Sequence, residues 1–350
     1  MAPRFRVIDT GLREGRANIA FDQALIELHR DGVIPDSLRF LQFRPSALIG
    51  RHQALSREIR LDYAKVNGIS VVRRITGGGA IYMDEGQFGF ELVFSKRTLG
   101  LGGLGEVAAA ICEAAAFGLR GLGINARFRP RNDIEVEGRK ISGTGGFFDG
   151  DTIFYQGTVL VEMDPTKMLG VLNVPREKLA KHELDSAASR IVTLRELLGA
   201  DTPGLPQIKT AMVEGFAKRL GVEPIAGAIT SDEEALAAKI CAEDIGTDAF
   251  VHELDDPAGQ VGVRNGSLTG KGGTVNAHVR LDGARIREVL ITGDFFVTPP
   301  RTILDLEAAL RGIETREVEA RVAAFFAVTT VGLLSVTPAD FSGAIQAAIV

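Results

Sequence analysis

Residues 71–94 read VVRRITGGGAIYMDEGQFGFELVF, which predicts two strands separated by a glycine-rich turn. An apolar run ends at Arg73 and Arg74, three glycines follow at 77–79, and alternating apolar residues resume directly afterwards. Glycines contribute no packing, so three in succession indicate a backbone with positive φ, or one that another group approaches closely. Successive backbone N–H groups beside two cations favour an anionic ligand, a phosphate or a carboxylate. A hairpin turn at a solvated basic strand end is the alternative.

The composition limits the kind of protein. The chain has 350 residues, 45% hydrophobic and 24% charged, which is typical of a soluble globular protein with two domains, or one large and one small. A net charge of -5 disfavours a nucleic-acid or anionic-membrane binder. Cys112 and Cys241 lack CxxC spacing, so we expect a reduced, cytoplasmic compartment, and the scattered histidines predict no zinc site. We expect neither a signal peptide nor a membrane span.

A second informative stretch covers residues 131–146, RNDIEVEGRKISGTGG. Apolar and acidic residues alternate up to Glu137 and Gly138, a pair that predicts a tight hairpin turn. Lys140 then stands near the start of the returning strand, close to a second group of glycines. This places a fixed ammonium beside exposed backbone amides, which again suits an anion. An exposed lysine on a plain hairpin is the alternative.

The remaining pattern predicts helices and strands on both sides of these motifs. Small residues and a proline at 222–230 predict a domain boundary, and residues 231–234 resemble a capping box that opens the next helix. Cys112 lies on an alanine-rich helix, where we expect a packed side chain. Predicted helices cover 17–30, 59–67, 106–119, 207–220, 231–242, 302–311, 315–326 and 338–349, with polar helices after 165, and predicted strands cover 5–9, 38–50, 154–163, 270–281 and 285–296.

Two motifs resemble those of the lipoate-protein ligase A family, within the biotin/lipoate ligase superfamily. They are RRITGGGAIYMD at 73–84, and RND at 131–133 followed by GRKISG at 138–143. GRHQ at 50–53 and QGT at 156–158 occur in the same order as in that family. The resemblance therefore covers the N-terminal region to about residue 220.

The C-terminal part resembles the accessory domain of the same ligases, here fused to the catalytic part. The residues that carry this resemblance are KGG at 271–273 and ITGDFF at 291–296. The resemblance predicts a lipoate ligase catalytic domain at 1–229 and a C-terminal accessory domain at 230–350. In the family the accessory part is associated with the activation half-reaction.

The resemblance implies an α+β fold. The catalytic domain would be like those of biotin ligases and class II aminoacyl-tRNA synthetases, with mixed sheets, and the accessory domain would be a small α+β unit. The implied reaction joins lipoate and Mg-ATP into lipoyl-AMP, after which a lysine of an acceptor protein attacks to form an amide. The expected acceptor is a lipoyl domain, a glycine-cleavage H protein or an H-like lipoate-binding protein. No nucleic-acid or membrane partner is expected.

The resemblance also assigns residues by motif position. Lys140 would be catalytic and would bridge the lipoyl carbonyl and the α-phosphate. Asn132 and Asp133 would help to hold the adenylate, with Asp133 as the Mg²⁺ ligand. The other expected nucleotide- and lipoate-binding residues are Arg74, Thr76, Gly77, Gly78, Gly79, Ala80, Ile81, Tyr82, Gly143 and Thr158.

Alternatives stay open at this stage. Met83 stands where the family commonly has histidine, which leaves lipoate or octanoate preference undecided. An octanoyl or lipoyl transferase of the same fold would need a cysteine thioester, and a non-catalytic lipoyl-binding module would not need Lys140. A biotin ligase is disfavoured because its arginine-rich glycine loop has no match. Arg129, Arg131 and Arg139 would suit an acidic acceptor.

Overall fold

The computed structural model describes residues 2–173, 190–257 and 259–350. The predicted polar helices that fall within 174–189 lie outside these ranges. The strands are β1 (Arg4–Arg13), β2 (Ser37–Phe43), β3 (Ser46–Ile49), β4 (Ser70–Arg73), β5 (Ile81–Met83), β6 (Gln87–Ser95), β7 (Arg127–Arg129), β8 (Asp133–Val136), β9 (Arg139–Asp149), β10 (Thr152–Leu160), β11 (Glu223–Ala226), β12 (Arg264–Gly270), β13 (Gly273–Asp282), β14 (Arg285–Gly293), β15 (Val297–Thr298) and β16 (Gly332–Leu333).

The helices agree with the predicted ones to within a few residues where the two can be compared. They are α1 (Gly15–Arg30), α2 (Leu55–Glu58), α3 (Leu61–Val66), α4 (Lys96–Leu99), α5 (Leu104–Arg120), α6 (Pro165–Val171), α7 (Leu194–Leu198), α8 (Leu205–Leu220), α9 (Ser231–Glu243), α10 (Asp248–Val251), α11 (Thr302–Leu310), α12 (Val318–Val328) and α13 (Pro338–Ile349), with 3-10 turns at Gly199–Asp201 and Thr315–Glu317.

A mixed eight-stranded sheet organises the N-terminal part, in the order β11-β1-β2-β6-β10-β9-β8-β7. Strand β6 shows how its two faces differ, because side chains alternate along a strand. Phe88, Phe90, Leu92 and Phe94 pack into the larger core with α5 and α8. Gly89 and Glu91 face the opposite side, where α1 and a small second sheet cover the strands. The second face carries the cavity described below.

The glycine turn at 77–79 does not form a hairpin. Its flanking strands β4 and β5 are separated by β3, which pairs parallel with β4 and antiparallel with β5. The prediction of a strand on each side is confirmed, but the hairpin alternative is wrong. The turn must cross over a strand that comes more than twenty residues earlier in the chain. A local pattern carries no information about such an insertion.

The second predicted turn is a hairpin, formed by the two residues that the sequence pattern predicts. Strands β8 and β9 pair antiparallel and meet at Glu137 and Gly138. Both residues have positive φ, 52° and 80°, as two-residue hairpin turns require. Lys140 follows directly at the start of β9. The main chain of Lys140 is fixed by hydrogen bonds with residues 190 and 192.

The C-terminal part has its own sheet and core. Strands β12, β13 and β14 form an antiparallel sheet, covered by α11, α12 and α13 around a buried cluster that includes Phe295 and Phe341. Two strands were predicted here, and β12 was missed. Its side chains are almost all exposed, so they show no apolar alternation.

The segment after residue 222 joins the two parts. Strand β11 pairs with β1, and α9 packs on α1 with Ala237 inside the second core of the N-terminal part. The helix begins at Ser231 as predicted, but its cap is Thr230, whose side chain accepts a hydrogen bond from Glu233 N, so the predicted capping box at 231–234 is one residue late. The domain division between 229 and 230 stays a prediction. No described helix is both long and apolar enough to cross a membrane.

Candidate active site

A cavity of about 400 Å³ lies between the inner face of the large sheet, the glycine turn and the β8–β9 hairpin. All the residues predicted for the site line it, although the two motifs are far apart in sequence. These residues are Lys140, Arg74, Thr76, Gly77, Gly78, Gly79, Ala80, Ile81, Tyr82, Asn132, Asp133, Gly143 and Thr158. The sheet topology therefore brings the two predicted anion-binding motifs onto one space.

The floor of the cavity is a row of neighbouring residues across four strands. Leu41 on β2 lies opposite Gly89 on β6, and Gly89 lies opposite Thr158 on β10. Thr158 Oγ1 is 3.5 Å from Gly143 N on β9. The row spans three inter-strand spacings, roughly 14 Å. Its far end is apolar, lined by Ile19, Leu41, Phe43, Leu48, Ile81 and Met83.

Lys140 and Asp133 form an ion pair on the cavity wall. The distance from Lys140 Nζ to Asp133 Oδ1 is 2.8 Å, and the two side chains are 35% and 19% exposed. Arg129 bonds the second oxygen of Asp133. Burial alone would raise the pKa of Asp133, but Lys140 and Arg129 keep it below its ordinary value. The ammonium therefore stands beside an ionised carboxylate at neutral pH.

The two arginines before the glycine turn have different partners. The Arg73 guanidinium is buried and donates only to backbone carbonyls, including those of Gln53, Val251 and Leu254. Arg74 lines the cavity and donates to the carbonyls of Leu48, Gly77 and Gly79, at 3.0, 3.3 and 2.8 Å. Burial lowers the pKa of Arg74 to about 10, so it stays charged at neutral pH. Arg74 thus fixes the shape of the glycine turn, and its contact with phosphate stays a prediction.

Part of the need for glycine comes from the C-terminal part of the protein. A Cβ on Gly77 would overlap the carbonyl oxygen of Phe295, and a Cβ on Gly145 would overlap the ring of Phe296. Gly78 has φ 96°, and a Cβ there would lie 2.8 Å from the Phe296 ring. At Gly79 the nearest such contact is 3.9 Å away, so that backbone is open. The close approach that the glycines predict is therefore made at residues 77, 78 and 145 by another segment of this protein, residues 295–296.

Asp294 and Phe296, just beyond the end of β14, complete the cavity wall. Sequence reasoning placed them only in a resemblance motif and gave them no role at the site. The residues at 51–53 do not line the cavity. His52 stacks on Phe295 with 5.0 Å between ring centroids, and its burial beside Arg51 and Arg73 lowers its pKa to about 3.

A buried charge cluster underlies the apolar end of the cavity. The Arg39 side chain is fully buried, and its Nη1 lies 2.6 Å from Asp22 Oδ1 and 2.8 Å from Glu91 Oε2. Burial, together with the nearby Asp22 carboxylate, raises the pKa of Glu91 well above its ordinary value. Glu91 itself lines the cavity. No local sequence pattern marks this cluster, because its members come from three separate elements.

Neither cysteine belongs to the cavity. Cys112 is buried on α5, its Sγ 3.3 Å from Thr144 Oγ1, and burial raises its pKa to about 12. Cys241 lies on α9, packed against the second core. Among the described residues that line the cavity there is no thiol. The packed role predicted for Cys112 agrees with these contacts.

Most of the residues that line the cavity fall in a stretch that matches a known catalytic domain. The sequence model of the lipoyl protein ligase A/B catalytic domain matches residues 14–217, and the chain belongs to this family. The predicted family is thereby confirmed.

Relatives with a known name fall into two groups. An octanoyltransferase LipM of Kyrpidia tusciae is 28% identical over 263 residues, which are 68% of this chain and 95% of that protein. A lipoate-protein ligase A subunit 1 of Thermoplasma acidophilum is 29% identical over 235 residues, 64% of this chain and 87% of that protein. The chain is thus an enzyme of the lipoate ligase and octanoyltransferase family, and these names do not separate the two reactions.

Solved structures confirm the predicted fold class. A lipoate-protein ligase A bound with ATP matches with a TM-score of 0.62 and 26% identity, over 73% of this chain and 100% of that one. The bipartite ligase of Thermoplasma acidophilum, studied with its E2 lipoyl domain, matches with a TM-score of 0.64 and 26% identity, over 73% and 99%. Plasmodium falciparum LipL1 in complex with lipoate has a TM-score of 0.74 over 94% of this chain and 95% of that one. At 18% identity the last likeness shows the fold alone.

Proposed function

We propose that this protein is an ATP-dependent lipoate-protein ligase. In the first step a carboxylate oxygen of lipoate attacks the α-phosphorus of ATP, pyrophosphate leaves, and lipoyl-AMP forms. In the second step the amine of an acceptor lysine attacks the lipoyl carbonyl, AMP leaves, and an amide forms. The observation that carries the proposal is Lys140, which lines the same cavity as the glycine turn.

The position of Lys140 suits both steps. Each step builds negative charge at the junction between carboxylate and phosphate, and a fixed cation stabilises that charge more in the transition state than before it. The Lys140 ammonium is held by Asp133, and its main chain is tied to residues 190 and 192. Little reorganisation is needed as charge develops, which is the condition under which a charged donor contributes most.

The substrates divide the cavity between them in this proposal. The acyl chain lies along the floor of the cavity and points toward its apolar end. The floor is long enough for an extended chain of lipoyl length. The nucleotide lies over residues 79–82, whose backbone is open at Gly79, and against Asn132. Thr76 and Gly77 border the channel, and a 2.7 Å hydrogen bond from Gln156 Nε2 holds the Thr76 hydroxyl. A related ligase solved with bound ATP supports a nucleotide site in this fold.

Magnesium would enter with the nucleotide. Among the described residues no group of three His, Cys, Asp or Glu side chains could hold a metal ion. A nucleotide-bound Mg²⁺ usually takes only one or two protein carboxylates and completes its shell with phosphate oxygens and water. The ionised Asp133 fits that need. When bound, the ion would offset phosphate charge.

The acceptor is proposed to be a lipoyl-carrier protein in the cytoplasm. The Thermoplasma ligase was studied with an E2 lipoyl domain, which supports this class of partner. Arg129 and Arg139 are partly exposed near Lys140 and would suit an acidic carrier, although each also pairs with a carboxylate of this chain.

We further propose residues 1–229 as the catalytic domain and 230–350 as the accessory domain.

An octanoyltransferase is the second candidate, because relatives such as LipM carry that name. This reaction needs a thiolate beside the acyl chain. Cys112 packs against Thr144, with a pKa of about 12, and Cys241 lies on α9. Both positions argue for the ligase.

One experiment separates the two candidates. The pure protein is incubated with an apo lipoyl domain and either lipoate with Mg-ATP, or octanoyl carrier protein without ATP, and intact mass is measured. The ligase predicts a mass shift only with lipoate and ATP, unchanged in a Cys112→Ser, Cys241→Ser double variant. A shift from octanoyl carrier protein that the double variant loses would establish the transferase instead.

A further inference from the structure

Three cations line the cavity among the described residues: Arg74, Arg131 and Lys140. The first and third already have their partners. Arg74 donates to three backbone carbonyls and Lys140 pairs with Asp133. Pyrophosphate leaves the first step with several negative charges, which these two groups would have to share. Arg131 differs from both of them.

The guanidinium of Arg131 is anchored through one nitrogen, whereas another of its nitrogens has no hydrogen-bond partner among the described residues. Its Nη1 donates to the carbonyl oxygen of Lys271 at 3.0 Å, across the junction with the C-terminal part. Its Nε is buried and has no hydrogen-bond partner in the described part of the chain. A buried N–H without a partner is costly, more so when it carries charge. Arg131 thus lines the cavity with a guanidinium that keeps one unused donor.

The backbone at Arg131 is also strained. Its φ is 102°, in the region that side chains other than glycine rarely adopt. Such conformations persist where the surrounding structure holds them, and they concentrate at functional sites. The residue stands directly before Asn132 and Asp133, so the strain helps to aim the start of the β8–β9 hairpin. Two independent observations, a strained backbone and an unpaired donor, thus concern the same residue of the cavity lining.

We propose that Arg131 binds the β- and γ-phosphates of ATP and stabilises pyrophosphate as it leaves. The inference rests on the proposed ligase function and deepens it. When the carboxylate oxygen attacks the α-phosphorus, the bond from that phosphorus to the bridging oxygen breaks, and the electron pair stays on pyrophosphate. A guanidinium offers several donors in a rigid plane, which matches phosphate oxygens.

The proposal also gives the C-terminal part a role in the first step only. The Lys271 carbonyl holds one end of the guanidinium of Arg131, a residue that lines the cavity. The second step involves no pyrophosphate. Arg131 should therefore matter for lipoyl-AMP formation and not for transfer from lipoyl-AMP to an acceptor.

The test measures the two steps separately in the full chain. Lipoate-dependent exchange of labelled pyrophosphate into ATP reports the first step, and transfer from synthetic lipoyl-AMP to an apo lipoyl domain reports the second. Arg131→Ala and Arg131→Gly should each lower kcat/KM for ATP about 10- to 100-fold and leave transfer unchanged. Arg131→Lys should fall between them and the wild type, because an ammonium keeps the charge but loses the fork.

Stability provides the second readout. Glycine accepts positive φ and alanine does not, so the Gly variant should melt higher than the Ala variant while both lose the same activity. The matched control is Glu137, which has φ 52° in the exposed hairpin turn. Glu137→Gly should likewise melt higher than Glu137→Ala, with both at wild-type activity in each step.

Each outcome decides one point. No lipoate-dependent exchange by the wild type would overturn the ligase proposal itself. Exchange by the wild type and equally by the Arg131 variants would overturn only the present inference. Loss of transfer with normal exchange would also overturn it, and would make Arg131 part of the acceptor surface. Retained transfer also shows that a variant has folded.

Discussion

The charge of Lys140 carries the proposed chemistry, so its removal is the most decisive perturbation. The side chain reaches Asp133 at 2.8 Å, and its main chain is anchored by residues 190 and 192. Losing one preorganised donor that faces developing negative charge typically costs about 3 to 4 kcal/mol of transition-state stabilisation. Lys140→Ala should therefore slow lipoyl-AMP formation roughly 100- to 1000-fold. The charge acts at the same junction in transfer, which should slow by a similar factor.

Single-turnover quench measurements test this prediction with saturating lipoate and Mg-ATP. Unfolding in urea should change by less than about 1 kcal/mol, because the pair with Asp133 is partly exposed to solvent. Arg195→Ala is the control, since Arg195 is exposed, pairs with Glu162 and does not line the cavity. It should react like the wild type.

One result would refute the reasoning about charge. If Lys140→Ala forms lipoyl-AMP at the wild-type rate, the ammonium does not stabilise the transition state. If neither it nor the wild type forms any, the ligase proposal fails, and the octanoyltransferase and a non-catalytic lipoyl-binding module remain.

Two further predictions concern the C-terminal part. Gly77→Ala should displace the loop at 293–296, because the new Cβ would overlap the Phe295 carbonyl, and amide hydrogen exchange in that loop should rise. Gly79→Ala is the control and should leave exchange unchanged, because its new Cβ would lie 3.9 Å from the nearest contact. Equal exchange in both variants would contradict the packing of Gly77 on Phe295. Burial raises the pKa of Glu307 to about 7 in the folded protein, so the folded state holds this proton more tightly than the unfolded state does. The resulting contribution to the free energy of unfolding is fully present below the unfolded pKa near 4.5 and is lost as the pH rises through 7. Urea unfolding should lose about 2 to 3 kcal/mol over that range relative to Glu307→Gln, and parallel pH profiles would contradict this.

Met83, which stands where the family commonly has histidine, lines the apolar end of the cavity. It lies beside Phe43, Leu48 and Ile81 on the wall of the channel. Methionine is flexible and polarisable, so this end can adapt to acyl chains of slightly different shape. The buried cluster of Arg39, Asp22 and Glu91 lies next to it. We expect acyl preference to be decided here, away from Lys140.

The two motifs that line the cavity could be found in the sequence because the backbone signal of each is local, whereas the roles of their residues were implied by the family resemblance. A triple glycine, an Asn132-Asp133 pair and a turn at Glu137 and Gly138 each restrict the backbone over only a few residues. The same holds for helices such as α13, whose cap and periodicity lie within the helix. Where φ or a donor is dictated by neighbours in sequence, no knowledge of the fold is needed.

Tertiary structure alone decided what those residues meet. Arg73 and Arg74 are adjacent in sequence, yet one binds carbonyls more than 170 residues away and the other faces the cavity. The insertion of β3 beside the glycine turn, and the Phe296 ring against Gly145, likewise join distant segments. Long-range pairing and burial depend on the whole chain closing on itself. The sequence therefore predicted motifs whose residues line one cavity, and the fold determined which of these residues already have partners within the protein.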